Sequence, residues 1–412
     1  MTTFTKALTL GLTAVGIAAP AMAQDLTFWS WRQEDRAVYE KLIEAFEAEN
    51  PGINVEFEAF EASSYATILS TALAGESGPD LMMVRAYGAF EAVAGANYLM
   101  PLTEADVPGL ADMTGPAIAA QTLRADGKIY GVPFASQTML VIYNKDIYAQ
   151  LGLEEPETWD ELVANAKAIQ DAGMFGFANG TATAWQNETI VSALASSTIG
   201  AEFFDEIVEG TTDFTDPRFV EGLSNLEEIS AYFPKGFTGL DYASAQQLFA
   251  SGMAGMFAGG SFEIANFRSQ NPDLNLGVFA APGESADDEK LVGVFFDGGY
   301  AANATTEHPE AAKKFLAYTA TSEFGQVFAN ELGNITPIPG VTFDDELINE
   351  IGALNRSAVP YIMLTNFRYE EPSGSVLLQA EVQKMLAGES TPEDAAKAVT
   401  DGIATYYAPF QD

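Results

Sequence analysis

Aromatic residues recur in this chain beside side chains with planar polar ends. Trp31 is followed by Arg32, Gln33, Glu34 and Asp35; Tyr87 lies two residues after Arg85; Trp185 precedes Asn187; Asp297-Gly298 leads to Tyr300; Arg368 precedes Tyr369; and Phe262 tips the turn Gly259-Gly260-Ser261-Phe262. A flat ring offers a surface to C–H faces, while guanidinium, carboxylate and carboxamide groups can satisfy two neighbouring hydroxyls at once. That mixture suits a pyranose, which has an apolar face and a rim of hydroxyls that both donate and accept. Trp31 and Trp185 are expected in such a site, with Trp29 turned into the core. Arg32 and Arg85 are two of only eight arginines beyond residue 23, and both fall at predicted strand ends. The plainer role for each is to neutralise nearby acid.

Other chemistries have little material. With no cysteine and a single histidine, thiolate chemistry, disulfide scaffolds, His-dependent zinc sites and Ser-His-Asp triads are not expected. His308, in Glu307-His308-Pro309-Glu310, reads as a surface residue at a helix start. No glycine-rich phosphate fingerprint follows either early strand. No cofactor, metal or catalytic residue is therefore expected. Carboxylates such as Glu34 or Asp35 with Asp297 or Glu370 could be cast as a glycosidase pair, but among 58 acidic residues such pairs arise by chance. A binding site for a polyamine, an amino acid derivative or a chelated metal is the other alternative; a polyamine would not want Arg32 and Arg85 beside its acids.

The chain has 412 residues, long enough for two sizeable cores, and 48% of them are hydrophobic, as in a globular protein. Lys6, the apolar run from Ala7 to Ala19 and the small-x-small site Ala21-Met22-Ala23 predict a secretory signal peptide over 1–23, cut before Gln24. With no cysteine to carry a lipid, a periplasmic protein without a lipid anchor is expected. The formal net charge of −39 makes nucleic acid and anionic membrane poor partners. The acid is spread over helix faces and speaks to solubility rather than to ligand.

The elements that must hold these residues follow from periodicity. Leu26–Trp29 predicts a strand. A helix with Val38, Leu42, Ile43 and Phe46 on one face follows, capped by Asp35. Ile53, Val55 and Phe57 alternate as a second strand; Ser63 or Ser64 caps the next helix; Leu81–Val84 is a third strand. Strand, helix, strand, helix, strand predicts a parallel sheet, and ligands bind beyond the carboxyl ends of such strands. Gly127–Tyr148 reads as an extended crossover between two strand–helix sets. Thr158 caps the helix after it, with Glu161 completing a capping box. Asn179–Asn187 is expected as a loop, Gly277–Pro282 as a second crossover, Asp297–Tyr300 as a loop after the strand Gly293–Phe296, and Thr306 as the cap of a helix through Phe315.

Four stretches carry a resemblance: AFEAENPGINVEFE, GPDLMMV, GKIYGVPF…VIYNKDIY…PETWDEL, and TEHPEAAKKFLAYTAT. With these the chain resembles family-1 extracellular solute-binding proteins of ABC transporters, in the carbohydrate-binding branch that includes maltose-binding proteins. The resemblance implies a type II periplasmic binding protein fold: two α/β lobes joined by a multi-segment hinge, with ligand in the interlobe cleft. It implies an N-terminal lobe of 24–131 plus 283–336 and a C-terminal lobe of 132–282 plus 337–412. It implies a monomer that captures a di- or short oligosaccharide by closing and then docks on permease subunits in the inner membrane. Carried over by position, it places ligand contacts at Trp31, Arg32, Glu34 and Asp35, at Arg85 and Tyr87, at Gln137, and at Ser261 and Phe262. Where maltose-binding proteins have a tryptophan in a comparable late turn, this chain has Phe262, which points away from maltodextrin.

Overall fold

In a computed structural model, residues 24–411 are described; the expected signal peptide, 1–23, lies outside them. Eleven strands form two sheets: β1 Gln24–Ser30, β2 Ile53–Ala59, β3 Leu81–Arg85, β4 Val132–Pro133, β5 Ser136–Asn144, β6 Phe175–Phe177, β7 Ala254–Gly260, β8 Leu276–Phe279, β9 Val292–Phe296, β10 Gly298–Ala302 and β11 Ala358–Pro360. The first sheet runs β2-β1-β3-β10-β4. The second runs β11-β9-β5-β7-β6, with β8 also paired to β5.

The first sheet follows the sequence pattern. β1 pairs in parallel with β2 and β3, as strand–helix–strand spacing requires, while β10 closes the sheet antiparallel to β3 and β4. Phe28 from β1 meets Tyr39, Phe57, Tyr300 and Phe315 in one aromatic core. The helix Arg36–Glu49 buries Tyr39, Leu42, Ile43 and Phe46, on nearly the predicted face. Its expected cap fails: the Asp35 carboxylate makes no cap bond and turns to Arg32 instead. The next helix, Ala62–Ala74, is capped by Glu61, which accepts from the backbone N–H of Ser63 and Ser64, the two residues expected as caps. A longer carboxylate two residues before Ser63 reaches both donors.

The second sheet is organised on β5. All nine of its residues are buried. Met139, Val141 and Tyr143 face one core, and Leu140 and Ile142 face another, so helices cover both faces of the strand. Thr158 accepts from Glu161 N–H at 3.3 Å, and the Glu161 carboxylate returns to Glu157 N–H at 2.8 Å, which is the expected box shifted by one residue. Gly277–Pro282 is not a crossover, because Leu276–Phe279 pairs with β5 inside this sheet. Nor are Gly298–Tyr300 a loop, since they open β10. Pro309–Thr319 is a helix that begins after His308, while Thr306 bonds Asp80 and accepts from His308 N–H rather than capping it.

The chain passes between the sheets where these strands abut. Phe134 and Ala135 link β4 to β5, and Asp297 links β9 to β10. A third segment, Asn334–Thr336, runs beside them. The three segments are tied together by Phe134 N–H to Gly298 O (3.2 Å), Asp297 N–H to Ala135 O (3.0 Å) and Ser136 N–H to Ile335 O (2.7 Å). Short, mutually bonded crossings are where two lobes can rotate while each core stays packed.

Candidate functional site

The carboxyl end of β1 delivers Trp31, Arg32 and Asp35; the end of β3 delivers Arg85; and Asp297 rises from the β9–β10 crossing. These residues form one charged network. Arg32 Nε bonds Asp35, Arg32 Nη1 lies 3.7 Å from Asp297 Oδ2, and Arg85 Nη1 bonds Asp297 Oδ1. Arg32, Asp35 and Asp297 are 8%, 5% and 8% exposed. Burial alone would lower the pKa of Arg32, but the facing Asp35 and Asp297 carboxylates more than offset it and hold the guanidinium protonated.

Trp31 lies beneath this network. It is buried against Phe134 and Tyr65 at centroid distances of 5.8 and 5.6 Å, and the Arg85 guanidinium covers its ring at 3.9 Å. A side chain at Gly298 would sit 2.4 Å from Val84 O and 2.9 Å from the Trp31 ring, so the packing requires glycine there. Trp29, expected in the core, is half-buried on the other face of β1 beside Phe60. The two tryptophans have exchanged their expected settings. Residues 26, 28 and 30 of β1 point inward, which turns Trp29 away, and Trp31 drops in at the strand end.

The second sheet presents a different wall. Trp185 is not in a loop: the helix Ala184–Ile199 begins before it and carries it on its first turn. It is the most open tryptophan, 38% exposed. Tyr242 stands edge-on to it at 4.7 Å and Phe262 at 6.1 Å. Tyr242 donates to Glu263 Oε1 at 2.9 Å, and Gln246 Nε2 donates to Oε2 at 2.7 Å. Glu263 is almost fully buried, and burial pushes its pKa up to about 7 although both donors act against the rise. Burial, followed by Glu263, raises the Tyr242 phenol well above its ordinary range; Glu34 adds to the rise and Arg32 opposes it. Tyr242 therefore lies within electrostatic reach of Arg32 and Glu34, which belong to the opposite wall. Sequence reasoning missed it. Asp241 caps the Tyr242–Ala250 helix through Ser244 N–H, a readable signal for the helix but not for what its first ring touches.

Several expected ligand contacts are spent internally. Gln137 is fully buried, with Nε2 on Asn334 Oδ1 at 3.3 Å and Oε1 accepting from Ser261 Oγ at 3.0 Å; Ser261 Oγ in turn accepts from Thr138 N–H. Asn187 is buried, its amide donating to Thr181 O, Gln379 O and Gln383 Oε1. Tyr300 is buried and shares a hydrogen bond with Tyr39. Their hydrogen-bonding capacity fixes strands and helices.

Three more residues bridge the lobes. Tyr87 holds φ +59° and ψ −130°, rare for a non-glycine residue, and its hydroxyl accepts from Phe296 N–H at 3.1 Å. Arg368 is exposed, but a side chain at Gly88 would meet its carbonyl at 1.9 Å. Tyr369 is covered by the Arg124 guanidinium at 3.6 Å, and Arg124 is itself held by Glu91 at 3.0 Å. Tyr369 is thus an interlobe contact rather than an open platform.

Two other hollows offer less. A cavity of about 30 Å³ beside Glu188, Phe203 and Tyr361 has room for water only. An outer groove of about 350 Å³ at Thr211–Pro217 is lined by no aromatic ring. Among the described residues, no group of three His, Asp or Glu is placed to hold a metal, and no helix is long and apolar enough to cross a membrane.

Residues 29–326 match the bacterial extracellular solute-binding protein family. The chain belongs to that family. The multiple sugar-binding protein of Streptococcus mutans is 25% identical over 359 residues, covering 81% of this chain and 82% of the relative. The mannitol-binding protein of Pseudomonas aeruginosa is 26% identical over 344 residues, covering 80% and 77%. The solved structure of a chitin oligosaccharide binding protein superposes with a TM-score of 0.77 at 24% identity, covering 93% of this chain and 99% of that one. These likenesses fit the two α/β lobes of the type II periplasmic binding protein fold.

Proposed function

We propose that this solute-binding protein captures an uncleaved carbohydrate, a di- or short oligosaccharide, between its lobes and presents it to the permease of an ABC transporter. The observation that carries this reading is the part-exposed indole of Trp185, set against Tyr242 and Phe262, with Tyr242 within electrostatic reach of Glu34 and Arg32 on the other lobe. A ring face opposite carboxylate and guanidinium groups matches a sugar's C–H face and hydroxyl rim. Relatives named for binding sugars and mannitol support the same class.

In this reading the lobes exchange chain near Phe134, Asp297 and Ile335. The first contributes Arg32, Glu34, Asp35, Arg85 and Asp297; the second contributes Trp185, Tyr242 and Phe262. Ligand favours the closed arrangement only by the difference in its affinity for the two states. Micromolar affinity, about −8 kcal/mol, is within reach of one stacked ring and several charge-assisted hydrogen bonds after ordering costs. The protein is proposed to act as an exported monomer, cut before Gln24, and to catalyse no reaction: Asp35 and Asp297, the carboxylates nearest the cleft floor, are both engaged by guanidinium groups.

Calorimetric titration with maltose, cellobiose, lactose, raffinose and mannitol tests the reading. Saturable binding of at least one, with the sugar recovered intact after long incubation, is expected. Binding of spermidine and of none of the saccharides would overturn it, and new reducing ends would indicate a hydrolase.

A further inference from the structure

The charges in the cleft do not stand free, and their arrangement bears on which saccharides can enter. Arg32 is committed to Asp35 and to Asp297. Arg85 is committed to Asp297 and sits over the Trp31 ring. Across the lobe contact, Arg124 is committed to Glu91 and to Tyr369. Each guanidinium near the cleft other than the exposed Arg368 has a carboxylate partner, and one carboxylate, Asp297, serves two of them.

We propose that Asp297 sets the charge selectivity of this site: by occupying Arg32 and Arg85 together it restricts the cleft to uncharged saccharides and excludes uronates. The inference rests on the carbohydrate reading above. Asp297 is well placed for the role. Its backbone is pinned at the hinge by Ala135 O, and its side chain is 9% exposed, so it cannot swing into solvent to make way. A ligand carboxylate seeking either guanidinium would have to lie beside Asp297, and two like charges at contact distance in a partly dry site repel strongly. Exposed Glu34, which has no basic partner among the described residues, adds to the repulsion. A neutral hydroxyl meets no such penalty: it can donate to Glu34 or Asp297 and accept from the remaining N–H groups of Arg32 and Arg85. The arginines alone suggest an acidic sugar; their partners argue the opposite.

The experiment compares thermal shift and calorimetry for neutral probes (maltose, cellobiose, lactose, raffinose, mannitol) and anionic ones (glucuronate, cellobiouronate, digalacturonate) on the full-length exported protein and on Asp297→Asn. The native protein is expected to bind its best neutral probe at least tenfold more tightly than any uronate. Asp297→Asn, which frees Arg85 and leaves Arg32 paired with Asp35 alone, is expected to narrow that ratio at least tenfold, and adding Arg85→Gln to it should restore most of the discrimination. If Asp297→Asn does not fold, Arg85→Gln alone serves: it leaves the site more negative and should widen the ratio. A native preference for a uronate, or a ratio unmoved by these substitutions, overturns the role of Asp297 while leaving the carbohydrate reading intact. If no saccharide of either kind binds, that reading falls and this inference falls with it.

Discussion

The two walls of the cleft use the same residue types in opposite ways. On the first lobe, Trp31 lies under Arg85 and the arginines are held by Asp35 and Asp297, so ring and charges are consumed by one another. On the second lobe, Tyr242 and Phe262 stand at steep angles to Trp185, which stays part-exposed, and the local carboxylate, Glu263, is buried and accepts from Tyr242. One wall is a rigid polar template and the other an apolar platform. A tryptophan at a strand end and a tryptophan on the first turn of a helix look alike in sequence, yet one is buried in its lobe and the other stays part-exposed.

The largest effect separates stability from binding. Trp31→Ala removes a buried indole and should cost about 3–5 kcal/mol in denaturant unfolding; if it weakened saccharide binding with no loss of stability, the assignment of Trp31 to the core would break. The charges sharpen the contrast through pH. Glu263 and Glu188 are both buried, and burial pushes each up to about 7. Because each carboxyl holds its proton more tightly folded than unfolded, its contribution is complete below the ordinary carboxylate range and is lost as pH rises through about 7. Each can supply about 3 kcal/mol. The melting temperature should therefore fall between pH 5 and 8, and Glu263→Gln should flatten part of that fall; an unchanged slope would argue against a buried proton beneath Tyr242.

Trp185→Ala should weaken saccharide binding at least tenfold, about 1.4 kcal/mol, with little change in unfolding. An unchanged affinity would remove the platform from the site. The smallest effect concerns the contact between the walls. Arg124→Ala uncovers Tyr369 and should widen the unliganded protein in solution scattering while weakening binding only a few-fold; no change in size would mean that this contact does not bias closure.

The fold was largely legible because its signals are repetitive. Alternation in Ile53–Phe57, the apolar run Met139–Tyr143 and the extended Gly127–Phe134 stretch each dictate one element. What the sequence could not show is how each polar group is spent. Gln137, Ser261 and Asn187 have the right chemistry for hydroxyls, but Gln137 and Ser261 bond one another across the sheet and the Asn187 amide donates to a helix distant in sequence. Tyr242 and Arg124 carry no local sign of their role, because Trp185 and Tyr369, the rings they meet, lie 57 and 245 residues away along the chain. Even the caps follow this rule: Asp35 leaves its helix because Arg32 competes for the same oxygens.

Capture of a saccharide between the lobes is tested most directly by small-angle X-ray scattering of the exported protein, with and without each neutral saccharide and spermidine. A smaller radius of gyration with at least one saccharide, and none with spermidine, is the predicted result. Identical curves with every saccharide, together with contraction around spermidine, would contradict it.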